Sequence, residues 1–149
     1  MMNEKTGVKL NSEHFVVEAS TIECAGKGLF AKVMVGPGDT VGPYTGLVLT
    51  DDEVNSPPYV NSDYVLWVCK DHNIVGEGPK ANYVRYINHH DDPNCRIVTS
   101  TRWKKVRIEA IKRIRPGEEL FIDYGPYYWE YFDGQKAPAK PMEKYQSVG

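Results

Sequence analysis

Hydrophobic positions in this chain come in short runs rather than long helical stripes. The stretches HFVVEAS (14–20), GLFAKV (28–33), TVGPYTGLVLT (40–50), DYVLWVCK (63–70), CRIVTS (95–100), KKVRIEAIKRI (104–114) and ELFIDY (119–124) are β-branched or aromatic, and most are bounded by Gly, Pro, Asn or Asp. In KKVRIEA, Val106, Ile108 and Ala110 alternate with Lys105, Arg107 and Glu109, the period-two pattern of a strand with one wet face. Two turn sequences, VGPGDTV and IRPGEEL, look alike. In each, Pro fixes φ at the first central position and Gly accepts a positive φ at the second, which predicts a type II turn opening a new strand. NYVRYINH sets Tyr83, Tyr86 and Ile87 at helical spacing and predicts a short helical turn. NSPPYVNSD (55–63) reads as a surface loop, and the Pro/Lys/Gly-rich residues 133–149 read as a flexible C-terminal tail. The pattern predicts a mostly β fold of small sheets with short helices.

Composition narrows the class. With 149 residues, 41% hydrophobic and 26% charged, the chain is expected to form one core without a second domain. A net charge of -2 and a pI near 6.1 give no overall attraction to phosphate backbones or anionic membranes. No direct nucleic-acid contact is therefore expected, and Arg102, Lys104, Lys105, Arg107, Lys112, Arg113 and Arg115 read as a solvated strand face. No apolar run approaches the roughly 20 residues of a membrane helix. MMNEKTGVKL lacks the apolar centre of a signal peptide, so an intracellular protein is expected. Cys24, Cys69 and Cys95 are odd in number and widely spaced, forming neither a disulfide framework nor, by themselves, a zinc site.

Three stretches carry candidate chemistry. NHHDDPN (88–94) packs two histidines and two aspartates into four positions, but adjacent His89 and His90 point in divergent directions on a helix or a strand, unlike zinc ligands at i, i+3/i+4. His14 or His72 could complete a metal site only if folding brought them close. The alternative is a polar turn in which Asp91, Asp92 and Asn94 cap backbone groups around Pro93. AGKGLFAK (25–32) has glycines that permit close approach of backbone to a ligand, or simply a tight turn. It is neither a GxGxxG nor a P-loop, because it leads into a strand. GEELFIDYGPYYWEYF (117–132) ends in five aromatics within six residues, readable as a hydrophobic cover for a sheet.

Taken in order, these pieces resemble the SET-domain family of protein lysine methyltransferases. GKGLFA resembles the family's G-x-G-L-F/Y-A, YTG (44–46) its Y-x-G, and DYVLWV the strand that usually reads S-Y-L-F. NYVRYINHHDDPNC resembles N-y-x-R-F-I-N-H-S-C-x-P-N, and GEELFIDYG resembles G-E-E-L-T-F-D-Y-G. The resemblance implies a single SET domain over residues 1–132, with motifs within 26–125 and an aromatic closing segment at 126–132. Its small sheets would surround a knot-like threading in which the Asn-His segment packs against the final strand.

The implied activity is methyl transfer from S-adenosyl-L-methionine to a lysine amine, an in-line displacement in which the cofactor supplies the electrophile. The protein must align the reacting atoms and accept the lysine as a neutral amine in a dry channel, work suited to tyrosine hydroxyls and backbone carbonyls. By resemblance, Tyr124 is the catalytic tyrosine, and Tyr64 and Tyr44 are further channel or cofactor-side aromatics. Gly26, Lys27, Gly28 and Phe30 would present backbone to the cofactor, Asn88 and His89 would contact it, and Trp129 or a nearby aromatic would cover its adenine. Arg85 and Asp123 would be structural.

Departures from the family pattern also inform. N-H-S-C reads Asn88-His89-His90-Asp91, so the cysteine that many members use for a zinc site is an aspartate, and no cysteine follows residue 95. Both absences imply that no metal is bound and that PYYWEYF closes the channel by aromatic packing. His90 replaces serine and could adjust the cofactor pocket. Two residues before Tyr124, members that stop at one methyl often carry tyrosine; Ile122 here lacks that hydroxyl and implies room in the substrate channel for further methylation. The implied substrate is a protein with a lysine-containing basic tail, by family a histone tail, which implies a nuclear or chromatin-associated location. Two other readings stand beside this one: a SET-fold peptide-binding module with impaired catalysis, and a metal-binding β-protein.

Overall fold

Each hydrophobic run contributes a strand to the computed structural model, which describes residues 7–62 and 64–123. The strands are β1 (Phe15–Ala19), β2 (Lys27–Ala31), β3 (Thr40–Pro43), β4 (Leu47–Leu49), β5 (Val65–Cys69), β6 (His72–Val75), β7 (Asn88–His89), β8 (Cys95–Ser100), β9 (Lys105–Ala110) and β10 (Phe121–Ile122). They form four small sheets, ordered β1-β2, β10-β7, β3-β9-β8 and β4-β6-β5. Helix among the described residues is limited to Asp51–Val54 and to 3-10 turns at Ser12–His14, Tyr59–Asn61 and Tyr83–Tyr86. The fold is mostly β, as the pattern predicted, and the short turn at Tyr83–Tyr86 lies within NYVRYINH.

The boundaries differ from the expected ones for local reasons. The 40–50 run divides into β3, which pairs with β9, and β4, which pairs with β6; beside the division, an added Cβ on Gly46 would lie 1.8 Å from the Val75 carbonyl oxygen. The 104–114 run stops at Ala110, where β9 completes its alternation of exposed Lys105 and Arg107 with buried Val106, Ile108 and Ala110. β6 was not expected; it follows β5 through Lys70-Asp71, with Asp71 at φ 58, a conformation that aspartate tolerates. The turn Asp51–Val54 was also not expected, although TDDE is a capping box. Thr50 Oγ1 accepts from the Glu53 N–H at 3.2 Å, and Glu53 Oε1 accepts from the Thr50 N–H at 2.8 Å.

Contacts divide the chain into two compact units, neither a continuous stretch. The first comprises described residues 7–43, 86–98 and 107–123; its buried side chains include Leu29, Phe30, Val35, Ile108, Ile114, Leu120 and Ile122. The second comprises 44–62, 64–85 and 99–106, with Val54, Leu66, Val68, Ile74, Val75 and Val84 buried.

The two Pro-Gly turns clasp each other within the first unit. Gly38 and Gly117 take φ of 90° and 91°, and each turn closes with an i+3 to i hydrogen bond of 3.0 Å, Asp39 to Gly36 and Glu118 to Arg115. The acid at the last turn position repeats the closure, Asp39 Oδ2 accepting from the Gly36 N–H and Glu118 Oε1 from the Arg115 N–H. Val35 and Ile114 exchange two backbone bonds of 2.8 Å. Gly117 N–H then donates to the Ala31 carbonyl at the end of β2, while Gly38 N–H donates to the Ala110 carbonyl at the end of β9. The return bonds, Ala31 to Glu118 and Ala110 to Asp39, are both 2.9 Å. Each turn is thus seated on the strand that leads into the other, an arrangement with local two-fold character.

An added Cβ at Gly117 would meet nothing within 4 Å, so a side chain there costs only backbone conformation. Gly117→Ala is expected to lower unfolding stability by about 1–2 kcal/mol in a urea titration, with Gly117→Asn costing less because asparagine tolerates positive φ better. Equal stability for Gly117→Ala would count against a required left-handed turn.

Candidate functional site

Strand alternation sets up a polar edge along β2. Ser20 N–H donates to the Gly26 carbonyl and Lys32 N–H to the His14 carbonyl, so the β1–β2 register places Gly28 and Phe30 as the hydrogen-bonded partners of Glu18 and Val16. Lys27 lies between these pairs and turns its N–H and C=O away from β1. Asn88 Nδ2 meets that carbonyl at 2.9 Å.

One carboxylate fixes Asn88. Glu119 is 5% exposed, and its oxygens accept from Ser20 Oγ (2.8 Å), Thr21 N–H (2.8 Å), Thr21 Oγ1 (2.6 Å) and Asn88 Nδ2 (3.2 Å). Burial opposes ionisation of this group, but the bonds from Thr21, Ser20 and Asn88 outweigh it and hold its pKa below the ordinary carboxylate value. Both acceptors facing Asn88, a carbonyl and a carboxylate, require the amide nitrogen, so the orientation of the amide follows from the network. Asn88 Oδ1 is left without a partner among the described residues. Gly28 makes room for the cage: an added Cβ would sit 2.2 Å from Glu119 Oε2 and 2.8 Å from Glu119 Cδ.

The rest of NHHDDPN joins this arrangement to the last strand. β7 pairs with β10 in parallel, Asn88 opposite Phe121 and His89 opposite Ile122, and the His90 N–H continues the ladder to the Ile122 carbonyl. Asn94 acts as an extra rung. Its Nδ2 donates to the Glu119 carbonyl (2.9 Å), its Oδ1 accepts from the Phe121 N–H (2.7 Å), and its own N–H donates to the Phe121 carbonyl (3.2 Å). The two histidines diverge as adjacent residues must. His89 Nε2 lies 3.1 Å from Asp91 and Nδ1 lies 3.6 Å from Asp123, whereas His90 Nδ1 accepts from the Asp92 N–H and its ring packs 5.0 Å from that of Phe121. Among the described residues, no group of three or more His, Cys, Asp or Glu side chains is placed to hold a metal ion. Cys95 is buried, which pushes its thiol pKa up to about 12 and leaves it a packing residue.

A second cluster lies in the second unit. The Tyr44 hydroxyl donates to the Tyr64 carbonyl at 2.7 Å, the Gly76 N–H donates to the same oxygen at 3.0 Å, and Arg85 Nη1 donates to the Gly76 carbonyl at 2.8 Å. The Arg85 guanidinium also stands 5.0 Å from the Tyr64 ring centroid. Gly76 admits this packing, since an added Cβ would fall 2.8 Å from the Tyr44 hydroxyl. Arg85 thus holds the segment that carries Tyr64, in keeping with its expected structural part.

Of the residues singled out in the sequence, Gly26, Lys27, Gly28, Phe30, Asn88, His89, Ile122 and Asp123 lie in the first unit, and Tyr44, Tyr64 and Arg85 in the second. Gly26 and Lys27 are exposed; Phe30 is buried, with its backbone committed to β1. Tyr124, Trp129, the closing segment 126–132 and the tail 133–149 lie outside the described residues. Glu119, Ser20, Thr21 and the bracing part of Asn94 were missed. A signal for Glu119 existed, because an acid immediately before the apolar LFI needs donors if the strand is buried.

Small sheets, with a parallel Asn-His strand and a glutamate-anchored segment brought together from remote parts of the chain, define a mostly β class. The chain belongs to the SET domain family, whose sequence model matches residues 26–125. It is similar to the Drosophila melanogaster protein named histone-lysine N-methyltransferase Set2, at 30% identity over 109 residues, 68% of this chain and 5% of that protein. It is likewise similar to the human protein named histone-lysine N-methyltransferase 2B, at 33% identity over 105 residues, 66% of this chain and 4% of that protein. Among solved structures, a chain from the crystal structure of an active polycomb repressive complex 2 in the basal state matches with a TM-score of 0.67 and 29% identity. The match covers 76% of this chain and 15% of that one. The chain therefore spans only a small part of the relatives it matches.

The Glu119 cage has a pH signature. Its depressed pKa means that the stability it contributes is fully present above the ordinary glutamate value of 4.5 and is lost as pH falls through the lower native value. Glu119→Gln is expected to destabilise the protein by about 1–3 kcal/mol at neutral pH, because one donor then faces an NH₂ group, and to flatten the acid limb of stability against pH. An acid limb identical to that of the wild type would contradict the ionised cage.

Proposed function

We propose that the protein is an S-adenosyl-L-methionine-dependent protein-lysine N-methyltransferase acting on basic tails of the histone kind. The observation that carries this reading is the edge built by Glu119: an oriented Asn88 Oδ1 as acceptor beside the outward backbone of Lys27, in the family's own segments. An ammonium and a carboxylate on one ligand require this combination of acceptor and donor, so the residues fit the amino-acid end of the cofactor. The exposed Gly26-Lys27 backbone and the β7 residues Asn88 and His89 would hold it. When bound, the cofactor supplies a sulfonium-activated methyl group.

The chain's own residues would position the acceptor amine. Tyr124 is the proposed catalytic tyrosine, with Tyr44 and Tyr64 as channel aromatics, roles resting on the family motifs they occupy, and Trp129 or a nearby aromatic of the closing segment would cover the adenine. The Tyr44 hydroxyl already donates to the Tyr64 carbonyl, which fixes its ring. Ile122 is 7% exposed and offers no hydroxyl for an ordered water, which supports room for more than one methyl. The single SET domain over 1–132, closed by 126–132, remains part of this proposal, as does a nuclear or chromatin-associated location suggested by the relatives' names.

A basic substrate is further supported by an open depression of about 350 Å³ in the second unit. It is lined by Leu49, Asp52, Glu53, Ser56, Pro57 and Tyr59, so it offers two carboxylates and an aromatic ring to a lysine or arginine side chain.

Incubation with labelled cofactor and a panel of histones is expected to transfer label to lysine. Tyr124→Phe should keep calorimetric cofactor binding within about threefold while transfer falls about 100-fold or more, as for a lost positioning group. Transfer at the wild-type rate would remove Tyr124 from the mechanism, and absence of cofactor binding by the wild type would favour a peptide-binding module. Mass spectrometry should show di- or trimethyl product that Ile122→Tyr restricts to monomethyl; monomethyl product alone from the wild type would contradict the assignment of Ile122.

A further inference from the structure

The hairpin joining β8 to β9 carries a one-sided charge. From Arg96 to Ile108, RIVTSTRWKKVRI, five basic residues occur without an acidic one, while the rest of the chain holds 13 basic residues against 20 acidic. Two of the five are answered, Arg96 and Arg107 lying 2.7 and 3.6 Å from Glu109 oxygens. The three at the tip, Arg102, Lys104 and Lys105, are exposed and make no ion pair among the described residues.

Between them stands Trp103, 65% exposed, the most exposed large hydrophobic side chain among the described residues. The Arg102 guanidinium lies 4.8 Å from its ring centroid and steadies the indole without burying it. Lys104 takes φ 55, a left-handed conformation unfavourable for lysine, and this turns the tip. A large exposed flat ring among three cations that no carboxylate answers among the described residues contributes nothing to a core. It does match a polymer that alternates anionic groups with flat rings. An acidic peptide would satisfy the cations and leave the indole unused.

We propose that the hairpin tip, residues 101–105, binds single-stranded nucleic acid, with Arg102, Lys104 and Lys105 on phosphates and Trp103 as the stacking platform for one base. The expectation of no nucleic-acid contact rests on the net charge, which averages this local excess away, and on reading these same basic residues as a solvated strand face. For a chromatin protein, such a contact would tether the chain near its substrate without entering the chemistry.

Fluorescence anisotropy of a labelled oligothymidylate of about a dozen nucleotides tests the assignment on the full chain. Three phosphate contacts should weaken binding roughly 20-fold between about 50 and 200 mM salt. Trp103→Ala should weaken it about 5- to 100-fold at fixed salt, the range for loss of one stacked base. The pair Lys104→Glu and Lys105→Glu should remove most of the salt dependence, with unchanged circular dichroism since both positions are exposed. Binding unaffected by Trp103→Ala, competition by polyglutamate as strong as by unlabelled oligothymidylate, or no binding at the lower salt would each overturn the proposal.

Discussion

A buried carboxylate holds the first unit's polar edge together. Glu119 reaches Ser20 and Thr21 before the glycine loop and Asn88 on β7, so segments some hundred residues apart in sequence meet at one side chain. A buried charge is tolerable only when its lone pairs are filled, and here four donors fill them. The cost of leaving any one unpaired makes the group a strict organiser: Gly28 must lack a Cβ, Asn88 must present its amide nitrogen, and the strand carrying Leu120 must run beside β2. Asn94 grips the same residue from its backbone side, so the two asparagines of NHHDDPN brace one glutamate from opposite ends of the motif.

Seen from that glutamate, the clasped Pro-Gly turns have a positional role. The second turn ends at Glu118, whose carbonyl accepts from Ala31, and the next residue is Glu119. The clasp sets where β10 begins relative to β2, and the cage then fixes which edge of β2 faces Asn88. Fold and polar edge thus share one set of backbone bonds, and the cage orients Asn88 Oδ1. For the proposed cofactor, such preorganisation would reduce the ordering that binding must otherwise impose.

Much of this was legible in the sequence where the information was local. The alternation of KKVRIEA gave a strand, and the Pro-Gly pairs gave turns whose glycines take positive φ. The order of five motifs gave the family. What escaped was short or depended on remote partners. HNIV is only four residues and begins polar, and Thr50 closes an apolar run, which hides that it also opens the capping box of TDDE. Glu119 could be seen as an acid before an apolar strand, but its donors Ser20, Thr21 and Asn88 are defined only by the fold. Asn94 reads as a turn cap because its rung on Phe121 depends on a strand 27 residues away. The adjacent His89 and His90 have separate local partners, His90 holding the Asp92 N–H and packing on Phe121.

The central claim is that Glu119 acts on the cofactor through Asn88. A double-mutant cycle measures it, reading the calorimetric Kd for S-adenosyl-L-methionine in the wild type, Asn88→Ala, Glu119→Gln and the combined variant. The predicted result is strong non-additivity, the second substitution weakening binding little once the first is made, with a coupling of about 1–2 kcal/mol. Additive losses would show that the two residues support the site independently, and would contradict the account.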